Sequence, residues 1–450
     1  MRLQWAICGV VVCLLPATAA GQSSELPRER LALDTAIRLA VEHNRLIQSA
    51  KLQAQTAEEN VATAQIRRRP TFEVNVLGSQ LLTPVNFSFP SGAFGVIPGV
   101  GPIPATDTNL TTPQQPILFI SSQMTQPLTQ LVRINLGVDG AVATRDLERE
   151  RIREQQLSVV NSVKRLYFAI QQSESAIKVS DEAIALYREL DRTLAVRVAQ
   201  KVALRSDALD VGAKLAQEEY TRMTRVDALD SQKEQLNQLL GRDVRTAFDA
   251  ETASDISVFD VDLQAAQASA LDRRPDVREA RLKVKQAEVD RQLKKAERIP
   301  DVGVVLSYNS NFNIDVLPRN MAAVGVQLKW EPFDWGRKGR ELAVKSHALN
   351  QAQLAVRETE DRAIVDINAR FRKLGESRAL LKVAESAQNA TREKLRVKTN
   401  QFQVQSALLT DVLSLRAELA DTNDRFEQAL ASFWTAKADF EQAIGEDVIP

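Results

Sequence analysis

The sequence predicts a mainly helical chain with a smaller share of strand, in which one plan is written twice. Three observations predict it: two fixed offsets that bring residues of one half onto the other, two alternating blocks that each follow a proline, and two helical stretches of more than sixty residues.

The duplication comes first. Gly241 in Leu-Leu-Gly-Arg-Asp matches Gly445 in Ala-Ile-Gly-Glu-Asp, an offset of 445 − 241 = 204 that also carries Asp207 onto Asp411, Leu209 onto Leu413 and Tyr167 onto Phe371. Upstream, Ala50 meets Ala280, Ala57 meets Ala287 and Pro70 meets Pro300, all at 230. Pro127 meets Pro332 at 205, so the first copy holds about 25 extra residues between its two prolines. An ungapped register through each helical block defines a repeat over 21–241 and a second over 265–447, with a linker at 242–264 and a tail at 448–450. The linker is expected to pack as a belt around the middle of the helices.

Residues 1–20 read as a secretory signal: Arg2, an apolar run from Trp5 to Leu15, then Pro16 and a small-residue Ala-Thr-Ala-Ala site. No later stretch approaches the ~20 apolar residues that a spanning helix requires. Both cysteines, Cys8 and Cys13, lie in this segment, which removes disulfides and thiolate chemistry from the exported chain. Neither has the small-residue context of a lipid-anchor site. Lysine plus arginine and aspartate plus glutamate both number 58, so bulk charge gives no reason to expect a nucleic-acid partner.

Each copy then unfolds in the same order. A helix is expected from Thr35 to about Arg68, with Asp34 as its cap, and its counterpart from Asp276 to about Arg298. After Pro70 the spacing changes to alternation, with Phe72, Val74 and Val76 against Glu73, Asn75 and Ser79; after Pro300, Val302, Val304, Leu306 and Tyr308 repeat it. Return strands are expected at roughly Leu118–Gly140 and Ala322–Trp330. About ten alternating residues suit a membrane-barrel strand and equally a half-buried strand of a soluble sheet. The intervening 83–117 holds seven prolines and four glycines within Thr83–Pro116 and reads as a long irregular surface loop. Its counterpart, Ser310–Met321, is short.

From Ala141 to Leu204 there is no proline or glycine, and from Glu341 to Ala407 only Gly375, so each stretch reaches roughly 90 Å as helix. Val163, Leu166, Ile170, Ile177, Ile184 and Tyr187 make a coiled-coil seam. Helices alone would suit a soluble periplasmic coiled-coil scaffold. Strands and helices together suit a duct: four strands cannot close a barrel, an open sheet edge cannot face lipid, and three chains would supply twelve strands around a lumen.

At this point the chain resembles the TolC-like outer-membrane efflux proteins. The resemblance rests on Glu331-Pro332-Phe333-Asp334-Trp335-Gly336-Arg337 between strand and long helix, its echo Gln126-Pro127-Leu128, the turn Leu408-Leu409-Thr410-Asp411-Val412-Leu413, and the paired Gly241 and Gly445. It implies a homotrimer with a shared twelve-stranded barrel in the outer membrane and a helical barrel through the periplasm. It further implies docking onto a periplasmic adaptor and an inner-membrane transporter, without a cofactor or metal. His43 and His347, the only histidines, are isolated, and no nucleophile, phosphate or dinucleotide motif is present, so no enzymatic activity is expected.

Three sets of residues are singled out. Asp207, Asp411 and Asp210 fall at the helical-hairpin turns; a carboxylate near a helix start is explained by the helix dipole, and a ring of them would narrow an entrance and favour cations. By resemblance Asp411 matches an acidic position at the family's periplasmic entrance, although Lys201 and Gln405 stand near its usual turn glycine and Ser414 replaces its second acid. Leu204, Leu408 and Leu409 at the same turns suit adaptor docking or packing within the hairpin. Pro127, Pro332, Phe333, Asp334, Trp335 and Gly336 read as the strand-to-helix junction, with the two aromatics at a lipid–water boundary or in a local core.

Overall fold

The computed structural model describes residues 29–202, 204–251, 262–314, 318–404 and 406–446; the signal segment, Gln405 and part of the linker lie outside them. Strand β1 (Glu29–Leu31) leads into α1 (Leu33–His43) and α2 (Arg45–Ile66). The single helix expected over this stretch is two. Asn44 breaks it: its Oδ1 accepts from the backbone N–H groups of Leu46 and Ile47 and caps α2, while its Nδ2 donates to the Leu239 carbonyl at 2.8 Å. Ala32, not Asp34, holds the cap position of α1, and Asp34 sits in its first turn.

Strand β2 (Thr71–Gln80) follows Pro70. The expected irregular loop is instead an extended hairpin, with β3 (Val85–Phe89) paired to β6 (Thr108–Thr112) and β4 (Val96–Ile97) to β5 (Gly101–Pro102). Its prolines fall at strand ends and turns, which lets the ladder form around them. Strand β7 (Pro116–Pro127) returns and stops at the second proline; the expectation of strand to Gly140 fails because α3 already begins at Leu131. Glycines 137 and 140 lie inside that helix.

Helix α3 (Leu131–Ala199) has 69 residues, about 100 Å, and turns back through α4 (Arg205–Leu239). Strand β8 (Phe248–Ala250) pairs in parallel with β1. The second repeat restates the plan: α5 (Leu263–Arg273), α6 (Pro275–Ala296), β9 (Asp301–Phe312), β10 (Asn320–Lys329), α7 (Arg337–Gln403) and α8 (Leu409–Ile444). The counterpart of α1 is therefore α5, capped by Asp262, and Asp276 lies in the first turn of α6 behind Pro275. Pro275 is Arg45 plus 230, a proline at the first helical position where the chain must restart.

Strands β10, β9, β7 and β2 form one antiparallel sheet in that order, so β10 and β2 are its edges. The helices pack as hairpins α3–α4 and α7–α8, with α8 also against α3, and α2 and α6 along the first part of α3. The core has two clusters. One gathers Leu31, Ile47, Val163, Tyr167, Ile170, Leu236 and Phe248; the other Ile367, Leu374, Phe433 and Phe440. Trp434 touches both and stacks on Phe168, ring centroids 5.5 Å apart. Of the expected seam, Val163, Ile170 and Ile184 are buried, with Leu166 and Ile177 against the first cluster.

Gly241 and Gly445 end α4 and α8 in the same way. Each takes a positive φ, 70° and 67°, and the following N–H bonds back five residues, Arg242 to Asn237 at 3.2 Å and Glu446 to Glu441 at 3.2 Å. A Cβ on Gly241 would come within 2.2 Å of the His43 carbonyl oxygen, and one on Gly445 within 3.3 Å of the Arg273–Arg274 backbone. His43 and Arg273 are themselves 230 apart, so the duplication extends to this contact.

Candidate functional site

Proline marks where each sheet strand starts or stops, and the register then sorts the side chains. Phe72, Val74 and Val76 face Met124, Ser122 and Ile120 across β2–β7; Met124 is opposite Leu306 across β7–β9, and Leu306 and Val304 are opposite Val324 and Val326. One face of the sheet is thus largely apolar, and Phe72, Val74, Val76, Val324, Val326 and Leu328 on it are exposed. The other face carries Glu73, Asn75, Gln123, Ser307, Asn309 and Gln327. An exposed apolar face several strands wide beside a polar one is the pattern of a wall between lipid and water. Each ten-residue strand reaches roughly 33 Å, enough to cross a hydrocarbon core with tilt.

The junction between sheet and long helix is built by Asp334. Its Oδ1 accepts from the Gly336 N–H at 3.0 Å and its Oδ2 from the Lys338 N–H at 2.8 Å, capping α7; these backbone bonds, that from Lys338 first, hold its pKa below the usual carboxylate range. Gly336 takes φ 84° and Trp335 φ 55°, so the chain bends sharply between the strand and the helix. Phe333 and Trp335 contact each other edge to face at 4.7 Å and both project outward, Trp335 with 90% of its surface exposed. They form no local core. Pro332 lies beyond the last paired residue, Lys329, and Pro127 is the last residue of β7, opposite Gly303 of β9.

At the far end of the helices the two hairpin turns close alike. Lys201 adopts φ 60°, the conformation that a glycine takes most readily, and the Val202 N–H bonds to the Arg197 carbonyl at 2.9 Å. The Ser406 N–H makes the same bond to Gln401 at 2.8 Å. Asp207 lies in the first turn of α4 and Asp411 in that of α8. Asp207 and Asp210 are exposed; Asp411 is less so and pairs with Lys398 Nζ on α7 at 3.5 Å. The residue 204 before Lys398 is Leu194, so the first repeat has no lysine there. Sequence reasoning missed Lys398 because the pairing crosses between two helices. Leu204 and Leu408 are 68% and 67% exposed at the tips; Leu409 opens α8, and its side chain lies outside the description.

Between sheet and tips, charged side chains stitch the helices together. Arg274 holds Asp276 through Nε and Nη2 at 3.0 and 2.8 Å, and its Nη1 reaches Asp366 at 3.1 Å and the Ala443 carbonyl at 2.8 Å. Burial pushes Asp366 up, but hydrogen bonds from Arg370 and Arg274 outweigh it and leave the carboxyl below its ordinary range. The cavity here is about 130 Å³ and is lined by these paired groups and Glu154. The Tyr167 hydroxyl lies between the Leu31 and Glu251 carbonyl oxygens, at 2.7 and 2.8 Å, with its one hydrogen to share between them, and burial pushes its pKa up to about 12. Among the described residues no cluster of metal-ligating side chains occurs, and no helix is long and apolar enough to cross a membrane.

The model of the family described as outer membrane efflux protein matches residues 267–446, from α5 to the end of α8. No curated protein matches the chain in sequence. Among solved structures, a membrane protein from Pseudomonas aeruginosa is similar with a TM-score of 0.74 and 14% identity, over 93% of this chain and 91% of that one. The CmeC outer membrane channel of Campylobacter jejuni aligns at 0.74 and 13%, over 92% and 87%. The open-state MtrE outer membrane channel of Neisseria gonorrhoeae aligns at 0.71 and 16%, over 93% and 89%. At these identities the likeness is one of fold, and it runs through both repeats.

Proposed function

We propose, from the match of residues 267–446 to the outer membrane efflux protein family and the fold shared with outer membrane channels, that the chain is a TolC-like channel and that three copies of it form the exit duct of a tripartite efflux or type I secretion assembly. The single observation that carries this is the four-stranded sheet with an exposed apolar face and two unpaired edges, β2 and β10. Neither edge can face hydrocarbon with its N–H and carbonyl groups unpaired. Pairing β2 of one copy with β10 of the next satisfies both, and three copies close twelve strands around a lumen. The long helices then descend about 100 Å into the periplasm, and the 83–117 hairpin lies at the opposite, outer end. A soluble scaffold would have no use for this sheet.

The inner mouth in this reading is the ring of hairpin tips. Asp207, Asp210 and Asp411 from each copy narrow and charge the entrance, and Lys398 offsets part of that charge in the second repeat only. Leu204, Leu408 and Leu409 offer the apolar surface on which a periplasmic adaptor docks, linking the duct to an inner-membrane transporter. Phe333 and Trp335 sit at the periplasmic boundary of the lipid, where amphipathic rings settle.

The test is conductance in planar bilayers. The purified protein is expected to open ion-conducting pores that polyvalent cations block from the helical side, and the double variant Asp207→Asn, Asp411→Asn to lose most of that block. Pores whose block is unchanged in the double variant would remove these carboxylates from the mouth.

A further inference from the structure

The exit-duct reading, on which this inference rests, makes the polar face of the sheet the wall of the membrane-spanning lumen. The four strands hold three charged residues, Glu73, Asp301 and Lys329. Asp301 and Lys329 stand opposite each other at the end of the sheet, and Asp301 is ion-paired to Arg133 at the start of α3. Those charges compensate one another. Glu73 is placed differently. It lies on the polar face opposite Gln123, which is followed across the sheet by Ser307 and then Ala323. Ser307 is six residues along β9 from Asp301, roughly 20 Å at the rise of a strand.

No lysine or arginine occurs between Arg69 and Arg133. The Glu73 side chain is exposed, and among the described residues no ion pair reaches it. A carboxylate on a strand would ordinarily sit on the solvated side of a soluble sheet and need no further account. Here the opposite face is apolar and exposed, so the solvated side is the lumen.

We propose that Glu73 is a charge-selectivity residue of the barrel: one copy per chain gives an acidic ring inside the membrane segment, favouring cations over anions. The tips with Asp207 and Asp411 are about 100 Å away along α3, many times the ~8 Å over which charge is felt at physiological salt. The two charge sets therefore act separately. Anionic cargo would have to cross the ring paired with a cation or held away from the wall.

The experiment compares wild type, Glu73→Gln and Glu73→Cys, each as the full-length protein in planar bilayers under a potassium chloride gradient. Glu73→Gln is expected to open normally and to lower the cation-over-anion permeability ratio several-fold, with block by polyvalent cations from the helical side retained. Glu73→Cys is expected to react with a water-soluble cationic thiol reagent and then to conduct less, while wild type is unaffected. An unchanged permeability ratio in Glu73→Gln pores, or a Glu73→Cys thiol that the reagent never reaches in open pores, overturns the proposal. If wild type forms no pore at all, the exit-duct reading falls, and this one falls with it.

Discussion

Helices α4 and α8 are one element written twice, 204 residues apart, and they close on the same glycine, yet their surroundings differ. Helix α8 lies between α3 and α7 and buries Val412, Ala420, Phe433 and Phe440 along its length. Helix α4 packs on α3 and buries only Leu229, Leu236 and Asn237, near its end. The contrast is sharpest at one pair of positions: Asp424 of α8 is 8% exposed, whereas its counterpart on α4, Tyr220, is 59% exposed with Met223 beside it. A repeat that leaves apolar side chains bare where its twin covers them has a face still to be occupied. The open edges of β2 and β10 say the same at the other end of the molecule. In the proposed trimer both deficits are met by a second copy of the chain.

The largest expected effect tests the shared part of this comparison. Gly241→Ala forces a Cβ into the His43 carbonyl as well as a side chain into the left-handed region, and should cost about 3 kcal/mol or more. Gly445→Ala meets softer contacts at 3.3 Å and should cost about 1–2 kcal/mol. Thermal unfolding in detergent should rank them in that order; equal losses would mean that the two closures differ from the geometry described.

A smaller effect probes the unshared part. Asp424 accepts from Gln428 Nε2 at 2.8 Å, its other oxygen is buried without a hydrogen-bond partner, and burial raises its pKa while Arg225 pulls it back. Glu427, nearby and facing Lys178, is raised by burial in the same way. A carboxyl whose folded pKa lies above its unfolded value binds its proton more tightly in the folded chain. Its contribution to stability is therefore full below the ordinary carboxylate range and is lost as pH rises through the raised value. Asp424→Asn should stabilise the protein at pH 7 by about 1 kcal/mol and reduce the fall in stability between acid and neutral pH. A variant less stable at pH 7 would show that the ionised form is held by its neighbours.

Much of this was legible in the sequence for a physical reason: periodicity and proline act locally. Pro70 and Pro300 mark where helical spacing gives way to alternation, and the alternation alone separates Phe72, Val74 and Val76 from Glu73 and Asn75. What escaped depends on partners far along the chain. The break at Asn44 is stabilised by a bond to Leu239, and Asn is an ordinary enough helix resident that nothing nearby announces a stop; Pro275, at the equivalent of Arg45, was the signal available. The hairpin of β3 to β6 hid behind its prolines, which sit at the ends of ladders. Asp334 was placed at the junction from its motif, but its cap on α7 needed the positive φ of Trp335 and Gly336 to become visible. Lys398 could be found only by asking what faces Asp411 across the turn.

The proposed duct requires that neighbouring copies complete the sheet and cover α4. The direct measurement is the mass of the protein extracted from membranes in mild detergent, after subtraction of bound detergent. Three copies per particle is the predicted result; a single copy, stable in water with no detergent, would contradict it.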